Sequence, residues 1–182
     1  SCRYLHGCPA EPEELEFLGR MVGKCSTIVE CGVCVGNHLV YFMKKLLPSK
    51  IIGFDADARS IIEAGKNVEL NRNGCSAVVE LHHKIVGSKN GIARFEGQAV
   101  ESVTLSSAVD EHVDFIKIDV DGMELEVIEG ACELIKRCRP KIMIEVNREL
   151  IPEFMQKMKH LNYKVEREFV KKNINNIFLV PV

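Results

Sequence analysis

Lys117, Asp119 and Asp121 stand at alternate positions in the run DFIKIDVDG, whose neighbouring residues are Ile, Val and Phe. Side chains two apart along a strand share one face, so this spacing groups an ammonium and two carboxylates on one side of a strand predicted over 113–119. Charges in such a setting must be paired. They either satisfy one another as a structural ion pair or serve chemistry beyond the strand's carboxyl end, where ligands of doubly wound sheets bind. A carboxylate fixed there can orient a hydroxyl or take its proton. Asp119 is the first candidate for that role and Asp121 the second, with Lys117 setting their charge.

A second group lies upstream in ECGVCVGNH, Glu30 to His38, where a strand is predicted to turn into a helix. Gly32 and Gly36 would let backbone approach a ligand closely. Asp55 follows Glu30 by 25 positions and closes the next strand in GFDAD; a carboxylate there can accept both hydroxyls of a ribose. Asp57 is read as a helix-leading acid. An adenine pocket would fall near His82, His83 and Ile85. A nicotinamide fingerprint starting at Gly32 would need glycine at 34 and 37, where Cys34 and Asn37 stand. His38 is a further base candidate, against the plainer reading of a histidine satisfied at a helix start.

The elements that must position these groups alternate between β-rich and helical runs, the pattern of a sheet covered on both faces by helices. Helices are predicted at 11–22, 38–47, 60–71, 122–136 and 150–161, with strands at 26–30, 50–55, 77–82, 113–119 and 141–146. Between 84 and 101 the pattern weakens, and Asn90-Gly91 suggests a hairpin excursion. Strands at 163–169 and 177–180 are joined too closely for a crossover and must be antiparallel. Five β-α units closed by a hairpin give an α/β, Rossmann-like sheet of seven strands, an arrangement that resembles the class I methyltransferase architecture, with one domain over 1–182, a covering helix at about 11–22 and a core at about 25–182.

The acid-x-Gly-x-x-x-Gly order resembles the first motif of S-adenosylmethionine (SAM) enzymes. More specifically, DFIKIDVDGMELEVIEGA followed by RPKIMIEV is similar to the central block of the FkbM-type methyltransferase family, and ECGVCVGNH and FDAD fit its earlier motifs. Asn67, Asn71, KIVGSKNGIARF and VTLSS fall in the family's order, so the similarity spans roughly residues 26–147. The resemblance implies SAM as cofactor, S-adenosylhomocysteine (SAH) as product, and O-methylation of a hydroxyl on a sugar, polyketide or related metabolite. It implies that Glu30, Gly32, Gly36, Asn37, His38 and Asp55 bind the cofactor, with Glu30 helping to hold its ammonium, and that Asp119, Asp121 and Lys117 act in catalysis. Glu30 and Asp121 exchange the family's commoner Asp and Glu. Asp119, Asp121 and Glu145 could together offer oxygens to Mg²⁺, but three carboxylates at a sheet edge are a weak signal, and no metal is expected. Rival readings are a SAM-binding module without catalysis, an RNA ribose methyltransferase and a nicotinamide-dependent oxidoreductase.

Composition narrows the partners. The 182 residues carry 24 Lys and Arg against 26 Asp and Glu, a net charge of -2, which excludes the uniform basic field that drives DNA binding. Residues 1–130 hold 13 basic and 20 acidic side chains and residues 131–182 hold 11 and 6, a bias that solvated helix faces explain. Few aromatics are available as a stacking platform for RNA, and DVDG stands where base-amine methylation uses a Pro-Pro-aromatic motif. No uncharged run reaches the roughly 18–20 residues of a membrane span. Cys31 and Cys34 lack the second ligand pair of a zinc site. They are read as small packing residues in a reducing cytoplasm. A hydroxyl-bearing small molecule or glycan is the expected acceptor.

Overall fold

The computed structural model describes residues 12–182, so Glu11, at the start of the first predicted helix, lies outside the described residues. The strands are β1 (Thr27–Cys31), β2 (Lys50–Asp55), β3 (Val78–His83), β4 (Ile85–Val86), β5 (Gly91–Phe95), β6 (Gln98–Val103), β7 (Phe115–Ile118), β8 (Lys141–Asn147), β9 (Tyr163–Val170) and β10 (Ile174–Pro181). The α-helices are α1 (Pro12–Met21), α2 (Asn37–Tyr41), α3 (Ala58–Leu70), α4 (Leu105–Ala108), α5 (Glu124–Gly130), α6 (Cys132–Cys138) and α7 (Ile151–His160). Seven strands form one sheet in the order β3-β2-β1-β7-β8-β10-β9. The first five are parallel, and β10 runs antiparallel to both β8 and β9, as the short connection at 171–173 requires. The chain order reverses beside β1, which places a ligand crevice at the carboxyl ends of β1 and β7.

Strand alternation sends Val29, Cys31, Ile116, Ile118, Ile142 and Ile144 to one face, where they pack with Val127, Ile128, Leu134, Ile135, Phe154 and Met158 of α5, α6 and α7. Ile28 and Phe115 go to the other face, beside Leu15 and Leu18 of α1 and Leu39 of α2. Side chains on both faces are almost wholly withdrawn from water, and this is the cohesive term that holds the strand ends in place.

Three local expectations need correction. The hairpin turns at Glu96-Gly97, not at Asn90-Gly91: both turn residues have positive φ (47° and 81°), as a tight two-residue hairpin turn demands. Asn90 instead accepts the Thr104 amide at 2.8 Å through Oδ1, and β4 and β6 pair in parallel to complete a second, three-stranded sheet. The helix predicted over 122–136 is two helices meeting at Ala131. A Cβ on Gly130 would lie 2.0 Å from the Gly87 carbonyl oxygen, so glycine there lets α5 press against the chain leaving β4. Finally, Cys34 is disulfide-bonded, while Cys31 is a buried free thiol. The expectation of two free packing thiols therefore holds for Cys31 only, because Cys34 sits on the half-buried outer part of the loop.

Candidate active site

The loop from β1 to α2 is fixed from three sides. Its Gly32 amide donates to the Phe54 carbonyl at 2.8 Å, its Cys34 amide donates to Asp55 Oδ2 at 2.9 Å, and Asn67 of α3 donates through Nδ2 to the Val35 carbonyl at 2.8 Å. Gly32 has φ +84°, and a Cβ on it would stand 1.8 Å from the backbone oxygen of Asp119. Gly36 has φ +81°, and its Cβ would press on Ala64 of α3 at 3.1 Å. The two glycines thus seat the loop against β7 and α3. Gly32 also borders the crevice, whereas Gly36 packs against α3.

The crevice has a volume of about 910 Å³. Bordering it are Gly32, Asn37, His38, Asp55, Asp119 and Asp121, the sequence-predicted residues that the fold brings together. Glu30 and Lys117 do not border it. They pair across β1 and β7 in register, and Glu30 is fully buried. Glu145 also borders the crevice, but among the described residues no three His, Cys, Asp or Glu side chains converge as a metal-binding group.

The charges form a short column. Lys117 Nζ lies 2.8 Å from Asp119 Oδ2 and 4.0 Å from Glu30 Oε1, and His38 Nδ1 lies 3.6 Å from the same Glu30 oxygen. Neither Glu30 oxygen has a hydrogen-bond partner among the described residues. Burial pushes its carboxyl up to about 8; the Lys117 ammonium opposes that shift, while Asp119 and Asp55 add to it. Burial pushes His38 down to about 3, with the Lys117 charge acting in the same direction. For Asp119, burial works to raise the carboxyl, but the charge and hydrogen bond of Lys117 prevail and hold it below the usual carboxylate range. Burial raises Asp55 despite the amides of Asp57 and Cys34, both of which donate to it. At neutral pH the column thus contains an uncharged Glu30, an uncharged His38 and an ionised Lys117–Asp119 pair.

Sequence reasoning did not identify Arg94, Phe95 and Glu96, which border the far end of the crevice. They come from the tip of the β5–β6 hairpin, and the signal available for them was the Glu96-Gly97 turn. It also missed Glu14 and Lys171, which approach to 3.4 Å and extend the charged column, with Lys171 3.8 Å from Glu145. Glu14 reads as an ordinary first-turn acid, although it is buried and accepts from Asn176 Nδ2 at 2.5 Å.

Comparison with known proteins agrees with this architecture. The FkbM methyltransferase from Methylobacillus flagellatus KT superposes with a TM-score of 0.74 at 18% identity, over 85% of this chain and 43% of that protein. The chain therefore spans less than half the length of that relative. A Streptococcus mutans methyltransferase solved with SAH gives a TM-score of 0.66 at 13% identity, over 98% of this chain and 100% of that one. An rRNA methylase from Streptococcus thermophilus gives 0.66 at 13% identity, over 98% and 99%. Among curated proteins none matches the chain. The Methyltransferase FkbM domain matches residues 30–165, a span that runs from the glycine loop through β7 and β8 into β9, and the chain belongs to that methyltransferase family.

Proposed function

We propose that this chain transfers a methyl group from SAM to a hydroxyl of a sugar, polyketide or related small metabolite. The observation that carries this reading is the convergence of the glycine loop, Asp55 and Asp119 on one crevice. Its volume of about 910 Å³ falls in the range of small-molecule sites. The residues present suit the cofactor. Each Asp55 oxygen already accepts one amide, yet a carboxylate oxygen has two lone-pair sites, which leaves capacity for ribose hydroxyls. Asn37 and the Gly32 backbone border the space where the methionine part would lie. Glu30 is too deeply buried to meet an ammonium; it supports His38 from beneath. SAM in the crevice supplies an electrophilic methyl on a positively charged sulfur.

The chain's own part is chiefly positioning, which can supply much of the acceleration of a group transfer. Lys117 holds Asp119 through Oδ2, and Asp119 Oδ1 accepts the hydrogen bond of the acceptor hydroxyl, aiming its oxygen. The depressed ionisation of Asp119 makes it a stronger orienting group than a base. His38 reaches the crevice uncharged and can accept a proton at a ring nitrogen, though burial weakens it as a base. Asp121 adds a carboxylate beside the Lys117–Asp119 and Lys171–Glu145 pairs, so the acceptor end carries no excess of positive charge to attract a phosphate backbone, which favours a neutral hydroxyl compound over RNA.

Asp119→Asn tests the assignment. SAH binding by calorimetry should stay within about threefold of the unsubstituted chain, while methyl turnover falls by about 100-fold. Loss of both together would contradict an orienting role. A turnover screen across glycans, polyketide alcohols and RNA reports the acceptor, and methylation of RNA alone would reject the small-molecule reading.

A further inference from the structure

The hairpin of the second sheet reaches the crevice only at its tip, and there it places an aromatic ring. Phe95 remains 36% exposed although it is a large apolar side chain, and it borders the same crevice as Asp55. The tip is tied to the ribose end by a chain of contacts. Asp55 Oδ1 accepts from the Asp57 amide at 2.8 Å, Asp57 Oδ1 accepts from Arg59 Nε at 3.1 Å, and Arg59 Nη2 meets Glu96 Oε2 at 3.0 Å. Arg94 closes the turn by donating to the Gly97 carbonyl at 3.0 Å. Individually these exposed ion pairs contribute little stability. Together they fix where the tip sits relative to Asp55.

We propose that Phe95 is the aromatic wall against which the adenine base of the cofactor rests, with Ile85 and Val86 forming the apolar floor; this rests on the SAM reading above. With the ribose on Asp55, the methionine part extends toward Gly32 and His38. The base must then extend the other way, into the part of the crevice bounded by Ile85, Val86 and Phe95. Ile85 and Val86 are nearly fully buried and border the crevice with aliphatic side chains. An exposed Phe beside such a floor gives a purine ring its second face, and ring stacking tolerates an open outer edge.

Calorimetry with two ligands tests this: SAH, and 5′-methylthioadenosine, which keeps adenine and ribose but lacks the amino acid. Phe95→Ala should weaken both ligands roughly tenfold and by the same factor, and Phe95→Tyr should restore both, with unchanged thermal melting of both variants as the folding control. Wild-type affinity of Phe95→Ala for both ligands would overturn the proposal, as would a loss confined to SAH. Failure of the unsubstituted chain to bind SAH would instead overturn the SAM reading itself, a result distinguishable from the other two.

Discussion

The two faces of β1, β7 and β8 arise from the same three strands and end in opposite ways. Under α5, α6 and α7, every inward residue from Val29 to Ile144 is apolar and buried to the strand ends. Under α1 and α2 the face begins alike, with Ile28 and Phe115, but toward the carboxyl ends it becomes Glu30, Lys117, Asp119 and Glu145. The first face contributes cohesion, since each aliphatic side chain withdrawn from water stabilises by about 1.5–3 kcal/mol. The second accepts a desolvation cost that is tolerable only because the charges meet one another and the crevice. A charge on these strands is therefore compatible with folding on one face and at one end.

Ile116→Asp would break this comparison most severely. A carboxylate on the apolar face has no partner, and the substitution should cost more than about 4 kcal/mol, leaving no cooperative urea transition. A folded variant with an unchanged midpoint would show that the faces do not differ as described. Lys117→Met makes the converse change one position along. The chain should fold with a loss of about 2 kcal/mol in urea denaturation, below the usual figure for a broken buried pair because Asp119 reaches solvent. Methyl turnover should fall at least tenfold, because Asp119 loses the group that holds it.

A smaller effect concerns Glu30. Its carboxyl titrates near 4.5 when exposed and near 8 in the folded chain, so the folded state holds the extra proton between those values and stability falls as pH rises through them. His38 acts oppositely below 6.5, since its folded value of about 3 makes stability fall as pH drops. The clean window is therefore pH 6.5 to 8, where the chain should lose on the order of 2 kcal/mol. Glu30→Gln should flatten that loss, measured as urea midpoints across the window. The smallest effect belongs to Arg20→Ala on the outer side of α1, whose exposed pair with Glu16 should change stability by less than about 0.5 kcal/mol.

Much of this was legible in the amino-acid order because single residues carried a strong local signal. β2 lies at its predicted bounds, since in KIIGFD an apolar run of four residues is bounded by Lys50 and Asp55. The β9–β10 pairing followed from loop length alone. Asp55 and Asp119 stand out in the sequence because each carboxylate follows an apolar β-run, and the fold places both at the border of the crevice. The hairpin tip was not found, because Asn90-Gly91 is the stronger turn signal in isolation and the pairing of β4 with β6 overrides it. The packing of Gly36 on Ala64 is not legible in the sequence, because a glycine in a turn has the same signature whether the missing Cβ makes room for a ligand or for a neighbouring helix.

The crevice beside Gly32 and Asp55 is the proposed SAM site. Isothermal titration of the intact chain with SAH and with NAD, repeated on Asp55→Ala, tests it most directly. Saturable SAH binding, weakened at least tenfold by Asp55→Ala, with no NAD binding, is the result this structure predicts. Tight NAD binding with no heat from SAH would contradict it.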